Sequence, residues 1–146
     1  MNILLHTFGC KANQYDTETL RQRLEAVGCR VVEDPGSADA AVVNTCTVTR
    51  QADADSRKKL RQMSREGVQR IVATGCWATL HPTEASALPG LSTVIPNELK
   101  EFLVPELLRL PRAAFDLEPL EREPLPGARL RTRAFIKAQD GCDNHC

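Results

Sequence analysis

Ala40-Ala41-Val42-Val43-Asn44-Thr45-Cys46-Thr47-Val48-Thr49 reads as a short buried strand that leads into the start of a helix, with a cysteine at the joint. The same pattern stands twice more. Leu4-Leu5-His6-Thr7-Phe8-Gly9 leads to Cys10, and Ile71-Val72-Ala73-Thr74-Gly75 leads to Cys76. In an open parallel α/β sheet the carboxyl ends of the strands lie along one edge, where ligands bind. Three thiols at three such ends can converge although they are far apart in sequence, and three converging thiolates can hold a metal.

Working outward, the first strand is expected over residues 2–8. A helix should follow with Asn13 as its N-cap and Asp16 three residues on. Leu20, Leu24 and Val27 recur at helical spacing on one apolar face, and Gly28 ends the helix. Residues 29–32 form a short second strand and Asp34-Pro35-Gly36 a turn. The third strand is residues 40–44. A long helix over 47–65 should turn Val48, Ala52, Leu60 and Met63 inward, closed by Gly67. Residues 69–74 are a fourth strand. A short helix over 77–87 is interrupted near Pro82, and 91–95 make a fifth strand. Asn97 should cap a last helix containing Leu99, Phe102, Leu103 and Leu107, which Pro105 kinks or splits. Strands alternating with helices imply an open, mostly parallel sheet with helices on both faces.

Residues 1–110 thus form one α/β domain. From 111 to 130 the periodicity breaks at Pro111, Pro119, Pro124 and Pro126, as in a linker. Residues 131–146 start a new unit with the strand Ala134-Phe135-Ile136-Lys137-Ala138, and the sequence stops on Cys146. A strand that opens a unit and then ends is expected of a piece of a longer enzyme.

The totals narrow the function. Formal net charge is +0, so bulk electrostatics do not draw the chain to nucleic acid, although local patches still can. No apolar run approaches the ~20 residues of a membrane span. The start Met1-Asn2-Ile3-Leu4-Leu5 has no basic leader, so a cytoplasmic, reducing setting is expected. There, six cysteines point to metal or redox chemistry rather than disulfides.

Cys10, Cys46 and Cys76 are the main constellation, read either as buried structural thiols or as metal ligands. Their shared place before a helix favours the ligand reading, because helix N-termini favour thiolate. A structural zinc site is normally closed by four ligands. Three thiolates with no evident fourth suit an iron–sulfur cluster with one iron left open. Cys142-x-x-x-Cys146 is a second pair, in a loop after a strand; His145 lies between its members. Cys29 sits at a strand start and reads as a core or surface thiol. Trp77 reads as packing, His6 as a satisfied histidine and His81 as solvated. Arg57, Arg61 and Arg65, with Lys58 and Lys59, are either a solvated helix face or a stripe for RNA phosphates. Arg129, Arg131 and Arg133 carry the same ambiguity.

Thr7-Phe8-Gly9-Cys10-Lys11-Ala12-Asn13, with Asp16-Thr17-Glu18 after it, resembles the opening motif of the radical S-adenosylmethionine methylthiotransferases. Asn44-Thr45-Cys46-Thr47-Val48-Thr49 with Ala52-Asp53 and Arg57, and Thr74-Gly75-Cys76, resemble that family's second and third cysteine motifs. Gln139-Asp140-Gly141-Cys142-Asp143-Asn144-His145-Cys146 is similar to the start of its Cys-x-x-x-Cys-x-x-Cys motif. The resemblance implies two [4Fe-4S] clusters and S-adenosylmethionine as cofactors. The auxiliary cluster would sit on Cys10, Cys46 and Cys76. The other would sit on Cys142, Cys146 and a third cysteine beyond residue 146, in a radical S-adenosylmethionine barrel of which this chain holds only the first strand. It further implies a tRNA partner and transfer of a methylthio group, with this chain alone inactive. The Cys-Thr-Val-Thr form is most similar to the branch acting on N6-threonylcarbamoyladenosine near the anticodon. The alternatives are the branches acting on isopentenyladenosine in tRNA or on a ribosomal protein. Outside the family stand a zinc-binding module and a nucleotide-binding α/β module, though the latter's Gly-x-Gly-x-x-Gly turn is absent.

Overall fold

The computed structural model describes residues 1–111. Most of the linker, the strand expected to open a barrel, Arg129, Arg131, Arg133, Cys142, His145 and Cys146 lie outside the described residues. The elements run β1 (Asn2–Thr7), α1 (Lys11–Ala26), β2 (Arg30–Val32), β3 (Ala40–Thr45), α2 (Arg50–Arg65), β4 (Ile71–Gly75), α3 (Cys76–Leu80), α4 (Pro82–Ser86), β5 (Leu91–Val94) and α5 (Leu103–Leu108), with 3-10 turns at Pro35–Ser37 and Asn97–Phe102. This is the expected order of strands and helices.

The five strands form one sheet in the order β2-β1-β3-β4-β5, and every pairing is parallel. Chain order reverses beside β1, so β1 and β3 flank the switch point where open α/β sheets bind ligands. β3 is central, and all six of its residues are buried. That burial explains its run of small and β-branched residues, which must pack against helices on both sides. One face carries Leu60 and Met63 of α2, Trp77 and Ala78 of α3 and Ala85 of α4 against Leu4, Ala41, Val43, Ile71 and Ala73. The other carries Leu24 of α1 and Leu103, Val104 and Leu107 of α5 against Ile3, Ala40, Val42 and Val72. Among the described residues no helix is long and apolar enough to cross a membrane.

Several expectations are corrected at element ends. Asn13 is not an N-cap. Cys10 holds that place in extended backbone (φ −82°, ψ 174°), and Asn13 is buried inside the helix. Val27 is 41% exposed, because the chain leaves the helix there: Gly28 and Cys29 donate their N–H groups back to Glu25 and Leu24. Val48 is 65% exposed rather than inward, because α2 begins only after Thr49, whose Oγ1 accepts from Ala52 N at 3.1 Å. Asn97 does not cap α5 with its side chain. Pro105 lies in the first turn of α5, where its missing N–H costs nothing, and a 3-10 turn fills the preceding residues.

Candidate metal centre

Register alone brings the three cysteine loops together. Thr7 of β1 pairs with Asn44, Asn44 pairs with Thr74, and Thr45 pairs with Gly75. β1, β3 and β4 are adjacent, so their carboxyl ends occupy about 10 Å of sheet edge, two strand spacings. Cys46 and Cys76 each follow directly on their strand, and Cys10 comes three residues after β1. Cys29, by contrast, precedes Arg30, which pairs with Asn2 at the other end of the sheet. It stands apart from the rim.

The three sulfurs differ in depth. Cys10 is exposed, Cys76 intermediate and Cys46 buried at 2% exposure. Burial pushes the Cys76 thiol above its ordinary range. Cys46 adds to that rise, Lys100 opposes it, Cys10 adds again, and a hydrogen bond from the Asn97 side chain opposes it. Cys76 therefore feels both other cysteines. Burial thus opposes the thiolate form at Cys76, and α3, which it opens, is only five residues long. Among the described residues no group of three His, Cys, Asp or Glu could hold a metal ion. A single zinc ion needs all donors about 2.0–2.3 Å from one point. The cysteines share a rim without closing on such a point.

Two glycines make the close approach possible. Gly9 has φ +87°, and a Cβ there would overlap the Cys46 sulfur and lie 2.6 Å from its Cβ. Gly75 has φ +91°, and a Cβ there would overlap the Thr45 carbonyl and lie 2.6 Å from both Asn44 Oδ1 and Thr45 N. Each glycine directly precedes a cysteine, so each lets one cysteine loop press against the β3 end.

Buried polar side chains then stitch the loops. Asn13 Nδ2 donates to Phe8 O at 2.8 Å and to Thr45 O at 3.1 Å, tying the Cys10 loop to the Cys46 loop. Asn44 Nδ2 donates back to Asn13 O at 3.0 Å. Thr45 Oγ1 donates to Thr74 O at 2.6 Å and accepts from Ala78 N at 3.0 Å, tying Cys46 to the turn that carries Cys76. Ser56 Oγ, on α2, accepts from Cys46 N at 3.2 Å and lies 3.3 Å from Cys46 O. Replacing Asn13 by alanine removes one buried and one part-buried hydrogen bond, worth about 1 kcal/mol each. Asn13→Ala should lower stability by about 2 kcal/mol, checked by urea unfolding.

Sequence reasoning missed Asn13, Asn44, Ser56, Asn97 and Lys100 as site residues. Asn13 and Asn44 stand within the first and second cysteine motifs, and Asn13 and Asn97 have the look of helix caps; Ser56 and Lys100 carry no signal in the sequence. The other expected residues fall as follows. Trp77 is 1% exposed and packs in the core, 6.2 Å from the His81 ring. His81 is exposed. His6 lies edge-on to Phe8 at 4.6 Å, and burial, with Lys59 nearby, lowers its pKa. The basic stripe on α2 is divided. Arg57 is taken up by Asp53 at 2.9 Å and Glu84 at 3.1 Å, joining α2 to α4, whereas Lys58, Arg61 and Arg65 are exposed.

Comparison with known proteins places this rim in context. The family model described as "Uncharacterized protein family UPF0004" matches residues 2–95. "Threonylcarbamoyladenosine tRNA methylthiotransferase MtaB" of Bacillus subtilis (strain 168) is 33% identical over 162 residues, covering 99% of this chain and 34% of the relative. The protein of the same name from Thermotoga maritima is 35% identical over 150 residues, covering 99% of this chain and 34% of the relative. "Ribosomal protein uS12 methylthiotransferase RimO" of Anaeromyxobacter sp. (strain Fw109-5) is 31% identical over 162 residues, covering 99% and 33%. The chain spans about a third of the length of these curated relatives.

Proposed function

We propose that Cys10, Cys46 and Cys76 hold a [4Fe-4S] cluster, the premise being that this chain belongs to family UPF0004 as the N-terminal domain of a methylthiotransferase. The full protein would be a tRNA methylthiotransferase acting on N6-threonylcarbamoyladenosine. The carrying observation is that three cysteines from the ends of β1, β3 and β4 share one edge of the sheet. The donor set fits the group: three thiols, graded in depth, at the switch point of a parallel sheet.

With three thiolates, such a cluster supplies one iron open to an external sulfur ligand. The chain's own residues define the approach to it. Cys46 is the buried anchor, its backbone held by Ser56. Cys10, at the start of α1, is the exposed member of the set. The pair Cys142 and Cys146 would serve a second cluster together with S-adenosylmethionine. Relatives named for threonylcarbamoyladenosine in tRNA support the substrate; the ribosomal-protein relative marks the rival branch.

Two measurements test this reading. Anaerobic reconstitution with iron and sulfide should yield a brown protein with about four irons per chain. A colourless protein that takes up only zinc overturns the cluster. For the substrate, tRNA nucleosides from a strain lacking the gene should lose the methylthio form of threonylcarbamoyladenosine, and its persistence would overturn that assignment.

A further inference from the structure

Lys100 follows β5, in the 3-10 turn Asn97–Phe102, and nothing in the cysteine motifs points to it. Its Nζ donates to Asp16 Oδ2 at 2.8 Å and to Asn44 Oδ1 at 3.3 Å. Only 18% of the Lys100 side chain and 12% of the Asp16 side chain remain exposed. The location is set by what it touches. Asp16 belongs to the helix that Cys10 caps. Asn44 lies two residues before Cys46, and its Oδ1 abuts Gly75, the residue before Cys76. The same turn docks on α3 through Asn97, whose N–H donates to Thr79 Oγ1 at 3.0 Å. One ammonium group therefore joins the helix that follows Cys10 to the strand that leads into Cys46, through an Asn44 side chain that also lies against Gly75.

A buried ion pair is weak evidence of stabilisation, because the desolvation of both charges offsets their attraction. The position of this one suggests a different use. We propose that Lys100 is a positioning cation that sets the reduction potential of the group held by Cys10, Cys46 and Cys76, with Asp16 as the counter-charge that limits its effect. The inference rests on the cluster reading above. Net charge and hydrogen bonds near the sulfurs are the levers by which a protein moves a cluster's potential. Reduction adds negative charge at the rim. A nearby cation favours the reduced state and raises the potential, and a nearby carboxylate lowers it.

The two partners therefore make opposite predictions. In the reconstituted chain, Lys100→Gln should shift the midpoint potential down and Asp16→Asn should shift it up, while Lys100→Arg stays near wild type. Iron content per chain is measured on every variant alongside a redox titration followed by electron paramagnetic resonance. A merely structural pair would loosen the rim in the same way whichever partner was lost. Shifts in one direction, or none, with full iron content would overturn the proposal while leaving the cluster reading intact. A wild-type chain that takes up no iron would overturn both. If Lys100→Gln fails to fold, Asp16→Asn against Lys100→Arg still decides, because an upward shift in the first alone supports the proposal and its absence refutes it.

Discussion

Gly75→Ala should destabilise the domain by about 3 kcal/mol or more, seen as a large fall in the urea midpoint or as insoluble protein. Two costs add at this position. At φ +91° and ψ −175° the backbone lies in a region open essentially to glycine alone, and forcing another residue there costs roughly 1–3 kcal/mol. The added methyl would also strike the Thr45 carbonyl and crowd Asn44 Oδ1, groups that cannot withdraw because both lie in the central strand. Overpacking of this kind costs roughly another 1–3 kcal/mol. Gly67→Ala separates the terms. Its φ is +86°, but nothing lies within 4 Å of its Cβ position, so it should cost only the backbone part. Equal losses in the two variants would mean that the tight contact between the β3 and β4 ends is not what makes residue 75 glycine.

Cys46→Ala should take iron uptake from about four per chain to near none, while stability changes little. Two thiols at the rim leave a cluster under-ligated, and Cys46 is the one held most rigidly, by its burial, by Ser56 and by contact with Gly9. Cys10→Ala and Cys76→Ala should lose iron as well. Cys29→Ala should retain it, because that thiol lies at the opposite end of the sheet, packed among the side chains beneath α1 and α5. Iron per chain and brown colour, measured beside urea unfolding, check the whole set. Retention of iron by the Cys46 variant, or its loss by the Cys29 variant, would sink the ligand assignment.

The site was readable in the sequence only as far as strands could be recognised. Each cysteine follows an apolar run, and a run that ends at a glycine or Asn-Thr before helical sequence has few other readings. Its supporting residues were hidden for a physical reason. Asn13 satisfies every local rule for an N-cap, but its amide donates to two carbonyls that only the fold brings within reach. Val48 has an apolar side chain at helical spacing, yet Thr49 takes the cap and leaves Val48 outside. Arg57, Arg61 and Arg65 share one spacing, but Glu84 of α4 claims the first.

By itself, the amino-acid sequence determined the order of strands and helices, the parallel sheet and the identity of the three rim cysteines. These follow from residues near one another in the chain: apolar runs that must be covered on both faces, and turn residues that end them. Only the tertiary structure decided the strand order β2-β1-β3-β4-β5, the different depths of Cys10, Cys46 and Cys76, and the pairing of Lys100 with Asp16 and Asn44. Those depend on which strand ends become neighbours. A lysine 84 residues from its aspartate leaves no periodic trace, because charge complementarity acts through space, and only packing sets that distance.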